Sequence, residues 1–121
     1  MEIEFSSGDD PVIRLNIVLD GAPVDLDATV EEMWFTVKQS AGQKDSDAAI
    51  ALTYSGGGIT FADQSELLGV AYARPTAEDT AEIPHGVYVA DVRVRTVGGK
   101  IATVVYGERV RINNPITHDV G

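Results

Sequence analysis

The chain has 121 residues and a mass of 12.9 kDa, the size of one ordinary domain, and its 44% hydrophobic and 23% charged residues are the proportions of a sequence that folds. Nineteen acidic against nine basic residues give a formal charge of -10, which repels polyanions and sets nucleic-acid binding aside. Cysteine is absent, so disulfides, thiolate metal sites and a cysteine nucleophile are excluded.

Met1 to Phe5 has no basic segment followed by an apolar run, so no secretory leader is expected. No apolar run approaches the roughly 20 residues of a membrane helix, and a membrane partner is not expected. Ile3 and Phe5 precede Ser6-Ser7-Gly8 and read as part of an extended N-terminal tail, 1–8, able to add a strand to a neighbouring sheet. In Pro11 to Leu19 the odd positions Ile13, Leu15, Ile17 and Leu19 are apolar around Arg14 and Asn16, the pattern of a half-buried strand closed by an Asp20-Gly21 turn.

A second strand covers Met33 to Lys38, with Met33, Phe35 and Val37 facing one way and Trp34, Thr36 and Lys38 the other. Trp34, the single tryptophan, is therefore out of phase with the apolar face. It either fills the second side of a covered strand, the favoured reading, or anchors an interface. A polar loop, Ser40 to Asp47, leads to a strand at Ala49–Tyr54, and Ser55-Gly56-Gly57-Gly58 reverses the chain into Ile59-Thr60-Phe61. A phosphate cradle needs a helix after its glycines. Here β-branched and aromatic residues follow, so the glycines read as a hairpin turn.

Leu67 to Arg74 is a further strand, stopped by Pro75, and Thr76 caps one short helical turn that ends before Pro84. Gly86 to Val97 and Lys100 to Ile112 form a long β-hairpin about Gly98-Gly99. Tyr88, Ala90, Val92 and Val94 share one face of its first strand and Val104, Tyr106, Val110 and Ile112 one face of its second. A two-residue loop would pair Val92 with Val105 and Val94 with Thr103, out of phase with that set. A three-residue loop or a bulge near Gly107 restores it. Residues 113–121 read as an extended C-terminal tail, since Pro115 bars a central strand.

Seven or eight short strands and one helical turn in a single domain, 1–121, make an all-β, antiparallel β-sandwich. Little in it points to catalysis. His85 and His118 lack metal-pair spacing, and no Gly-x-Ser-x-Gly motif is present. Asp9-Asp10, Asp25-x-Asp27 and Asp45-x-Asp47 meet the first test for calcium but continue into no binding-loop pattern, so they read as solvated loop acids. No enzyme activity, cofactor or metal is expected.

The basic residues are more informative. Residues 1–63 carry a net charge of -9 and residues 64–121 a net charge of -1. Arg93, Arg95, Arg109 and Arg111 all fall opposite the apolar faces of the final hairpin. The favoured reading is a solvated face with cross-strand partners such as Asp91 and Glu108; the alternative is a stripe that docks on an acidic neighbour, including the N-terminal half of another copy.

Several phrases of the chain resemble the immunoglobulin-like β-sandwich modules of tailed bacteriophages, such as the N-terminal domain of baseplate upper proteins and small tail-region relatives. They are Gly21-Ala22-Pro23-Val24-Asp25-Leu26, Trp34-Phe35-Thr36-Val37-Lys38, Gly58-Ile59-Thr60-Phe61, and the run from Thr76 through Pro84-His85-Gly86-Val87-Tyr88 to Val92. The resemblance implies an immunoglobulin-like fold and a non-enzymatic structural component of a virion, made in the host cytoplasm. Its partners would be itself, as a homo-oligomer, and other virion proteins of the tail, baseplate or neck. The interface residues expected are Arg93, Arg95, Arg109, Arg111, Trp34, Ile3 and Phe5. A carbohydrate or host-surface binding module and a capsid decoration protein are the alternatives.

Overall fold

The computed structural model describes residues 2–40 and 48–114. Along them run β1 (Glu2–Ser6), β2 (Ile13–Asn16), β3 (Val18–Leu19), β4 (Ala22–Pro23), α1 (Leu26–Thr29), β5 (Val30–Lys38), β6 (Ile50–Thr53), β7 (Ile59–Phe61), β8 (Val70–Ala73), α2 (Ala77–Ala81), β9 (Gly86–Thr96) and β10 (Ile101–Asn113). A five-stranded sheet has the order β1-β10-β9-β5-β6, a three-stranded sheet the order β2-β8-β7, and β3-β4 form a separate ribbon.

The alternating apolar positions of both sheets meet in one core. Met33, Phe35, Val37, Ala90, Val92, Val94, Val110 and Ile112 come from the large sheet, and Ile13, Leu15, Ile59, Ala71 and Ala73 from the small one. The large sheet sets β10, β9 and β5 side by side and the small sheet joins β2, β8 and β7, the strand arrangement of an immunoglobulin-like sandwich. The Tyr88 hydroxyl, near the start of β9, donates to the Pro84 carbonyl at 2.8 Å. This is the tyrosine corner of such folds. The protein is thus an all-β, immunoglobulin-like sandwich.

Strand pairing is antiparallel except between β1 and β10, which run parallel with Ile3 opposite Val110 and Phe5 opposite Ile112. That pair corrects the reading of the N-terminus as a free tail. Ile3 and Phe5 are buried in the chain's own core, because alternation lets both side chains close the open edge of the sandwich while Glu2 and Glu4 stand in register with Arg109 and Arg111. Asn113 still belongs to β10, opposite Ser6; the rest of the expected C-terminal arm, from residue 115, lies outside the described residues.

The glycine run also departs from expectation. β6 belongs to the large sheet and β7 to the small one, so Gly56-Gly57-Gly58 makes a crossover between sheets rather than a hairpin. Gly57 has a φ of +87°, and a Cβ on Gly58 would come within 2.9 Å of the Leu52 side chain. Two short helices are present where the sequence pattern predicts one. Thr76 and Asp79 form a reciprocal capping box on α2, while α1 starts at Asp25, whose carboxylate accepts from the Asp27 and Ala28 N–H groups. The Asp25-x-Asp27 pair is therefore a helix cap.

In the final hairpin both devices that restore the register occur. Lys100 C=O accepts from Thr96 N–H at 2.8 Å, closing a three-residue loop, and β10 carries irregularities between Thr103 and Val105 and between Val105 and Glu108. Gly107, with a φ of +68°, absorbs the second. The extra residues move Tyr106 out of the apolar set, and it stands 73% exposed.

Two buried polar side chains tie connections to the sandwich. Gln64 Oε1 accepts from Leu26 and Gly69 N–H, both at 3.0 Å, while its Nε2 donates to the Ala62 and Val70 carbonyls. Thr80, fully buried on α2, accepts from Gly8 N–H at 3.0 Å and donates to the Asp9 carbonyl at 2.6 Å. The turn after β1 is thus fastened to α2.

Candidate functional site

Residues of the large sheet that alternate with its core positions form the sheet's outer face. Its most structured part lies toward the C-terminal end of β9, where Trp34 pairs with Arg93 across β5 and β9, and Arg95 with Ile101 across β9 and β10. Trp34, Ala51, Leu52 and Ile101, with Thr36, Thr53 and Arg93, line a depression of about 260 Å³. Among the described residues none covers this patch fully, since Ile101 remains 53% exposed and Trp34 half-buried. Among the described residues, then, Trp34 does not fill a second covered side. No second sheet of theirs lies over this face.

Arg95 is held at the edge of the patch by two contacts. Its guanidinium lies 5.7 Å from the centre of the Trp34 ring and 3.2 Å from Glu31 Oε1. The ion pair is largely exposed, worth at most about 1 kcal/mol, and mainly orients the arginine. Glu32, beside it in sequence, turns elsewhere. Burial raises its carboxyl pKa, but hydrogen bonds from the Ser55 side chain and from the Met33 and Ser55 N–H groups outweigh that and hold it below the usual value of 4.5. Among the described residues the depression offers an aromatic and aliphatic surface with a cationic side, and none of those lining it is a carboxylate or an imidazole.

The four arginines do share the outer face, but not as one stripe. Arg109 and Arg111 stand opposite Val89 and Val87 of β9 and beside Glu2 and Glu4 of β1, about 13 and 20 Å along the strand from Arg93 at the usual rise. Between the two pairs lies Asp91, buried, and buried Lys38 of β5 stands in the row of Arg109, opposite Val89, with Lys38 Nζ 4.0 Å from Asp91 Oδ2 and Gly107 N–H donating to Asp91 Oδ1 at 2.8 Å. This buried carboxylate fixes the bulge beside Tyr106. Neither it nor the exposure of Tyr106 follows from period two, since both depend on the bulge.

At the other end of β9 Arg109 and Arg111 mark the outer face, and the α2 side is acidic. A depression of about 390 Å³ is lined by Glu78, Asp79 and Glu82 of α2 and its edge, together with Gln39, Ala49, Ile83, Pro84 and Tyr88. His85 is exposed in the neighbouring turn; His118, Asp45 and Asp47 lie outside the described residues. Asp9 accepts from Ser6 N–H at 3.0 Å. Among the described residues no group of three His, Cys, Asp or Glu is placed to hold a metal, and no helix is long and apolar enough to cross a membrane.

Fold and site together define an immunoglobulin-like module with an arginine-edged sheet face that the described residues leave partly open. No protein-family model and no curated protein matches the sequence. Among solved structures, the chain is similar to CopC from Methylosinus trichosporium OB3b, at 13% identity and a TM-score of 0.47 over 97% of this chain and 88% of that one. It is also similar to the first immunoglobulin-like domain of human CD48 antigen, at 15% identity and a TM-score of 0.37 over 99% and 87% of the two chains. At these values the fold assignment rests on the strand order and the tyrosine corner.

Proposed function

We propose that this protein is a non-enzymatic structural component of a bacteriophage virion, an assembly subunit of the tail, baseplate or neck that works through protein contacts. The observation that carries the contact role is the uncovered depression around Trp34. Aromatic and arginine side chains are the residue types that most often dominate protein interfaces, and here they adjoin Ile101 on a rigid sheet. The virion setting rests on the resemblance of the Trp34–Lys38 and Thr76–Val92 segments to phage immunoglobulin-like modules. The test is to raise antibodies against the purified protein and label intact particles of a phage whose genome encodes it. Labelling at one particle structure, with the chain present in the purified virion, is expected; its absence from purified particles refutes the proposal.

A further inference from the structure

We infer that the Trp34 face binds the α2 end of a second copy of the same chain, head to tail. This rests on the reading of the protein as an assembly subunit and names its partner. Toward one end of β9 lies a patch with two arginines and Glu31, the carboxylate that pairs with Arg95; toward the other, on the α2 side and apart from Arg109 and Arg111 of the outer face, lies an acidic one. One carries Arg93 and Arg95 beside Trp34 and Ile101. The other carries Glu78 and Glu82, one helical turn apart and both exposed, with Asp10 exposed on the linked turn before β2. The acidic end is also rigid, because the capping box of α2 and the two Thr80 hydrogen bonds hold the helix against residues 8 and 9.

Charge decides between the possible self-contacts. Each copy carries -10, so two copies repel unless their contact sets arginine against carboxylate. A two-fold contact of Trp34 face on Trp34 face would gather four arginines, two from each copy, against two Glu31 carboxylates. Joining the Trp34 face to the α2 end pairs unlike charges and buries Trp34 and Ile101. Because each copy then uses two different surfaces, the contact propagates and yields a ring or a filament rather than a closed dimer.

Sedimentation velocity of the full chain at low salt, over a concentration series, provides the test. The wild type is expected to form species larger than dimers, and Arg93→Glu or Glu82→Arg alone to weaken association about tenfold. An equal mixture of the two variants is expected to recover assembly, since the two reversed charges meet each other at one contact and the native pair forms at the next. Both substitutions are at exposed positions, and unchanged thermal unfolding of each variant separates lost contact from lost fold. A wild type that stays monomeric at every concentration, or variants that fail to rescue one another, overturns the inference. A monomer that is nevertheless found in virions would refute this self-contact and leave the assembly role standing; assembly in solution by a chain absent from particles would do the reverse.

Discussion

Replacing Gln64 by Met keeps the volume of the side chain while removing its polar atoms. Two buried donors, Leu26 N–H and Gly69 N–H, then lose the one oxygen they share, and the Ala62 carbonyl loses its donor. The Val70 carbonyl is spared, because it also accepts from Ala62 N–H at 3.0 Å. Each buried group left without a partner costs about 1–3 kcal/mol. Two such donors, partly relieved by small shifts of the 62–70 loop, amount to a loss of about 3 kcal/mol, large against a typical domain stability of about 5–15 kcal/mol. Equilibrium urea unfolding reads this directly: with a slope of about 1.5 kcal/mol per molar, the midpoint falls by about 2 M and the slope is unchanged. A loss below about 1 kcal/mol would show that Gln64 is not what fastens α1 to the loop before β8, and the reasoning would fail.

Tyr88→Phe removes the tyrosine-corner hydrogen bond and keeps the ring in the core; because Pro84 is exposed and its carbonyl can turn to water, the expected loss is about 1 kcal/mol by the same assay. A loss above about 3 kcal/mol would mean that the hydroxyl does more than make this one bond. The Glu32 carboxyl is held below its ordinary pKa, so the stability it contributes is present above pH 4.5 and is lost as pH falls through its folded value. Unfolding measured from pH 7 to pH 3 should therefore show a shallower acid limb in Glu32→Gln than in the wild type, with the remaining slope due in part to Asp63, lowered by its hydrogen bonds from Ser65; an identical limb would contradict the assignment.

Much of the sandwich is visible in local pattern. Period two at Ile13–Leu15 and at Met33–Val37, the Thr76 cap and the Gly98-Gly99 turn each report a choice made within a few residues, and the observed β2, β5, α2 and β9–β10 follow them. What the pattern hides is decided at a distance. The glycines at 56–58 announce a reversal, but which sheet receives the next strand depends on partners elsewhere in the chain. Ile3 and Phe5 alternate as a strand does, yet only the register with Val110 and Ile112 shows that their sheet is their own. Tyr106 looks inward by alternation until the extra residues near Gly107 reverse its side.

The site divides in the same way. Trp34 and the four arginines were legible as residues out of phase with the core. Their separation into two pairs was not, because it follows from the register that sets Arg109 opposite Val89, with the buried Asp91 between the pairs. The helix cap at Asp25 was hidden in another sense: Asp-x-Asp is equally the beginning of a cation loop, and only the N–H groups of Asp27 and Ala28 decide between the two.

The parallel pairing of β1 with β10 has a kinetic consequence. Glu2 meets Arg109 across more than a hundred intervening residues, whereas the β9–β10 hairpin closes over a three-residue loop. Loop-closure entropy and contact order therefore order the folding steps: the hairpin forms early, and β1 can dock only on a β10 that is already in place. Until it docks, the backbone edge of β10 is open to any extended chain. During that interval a newly made molecule is most exposed to pairing with the first strand of another.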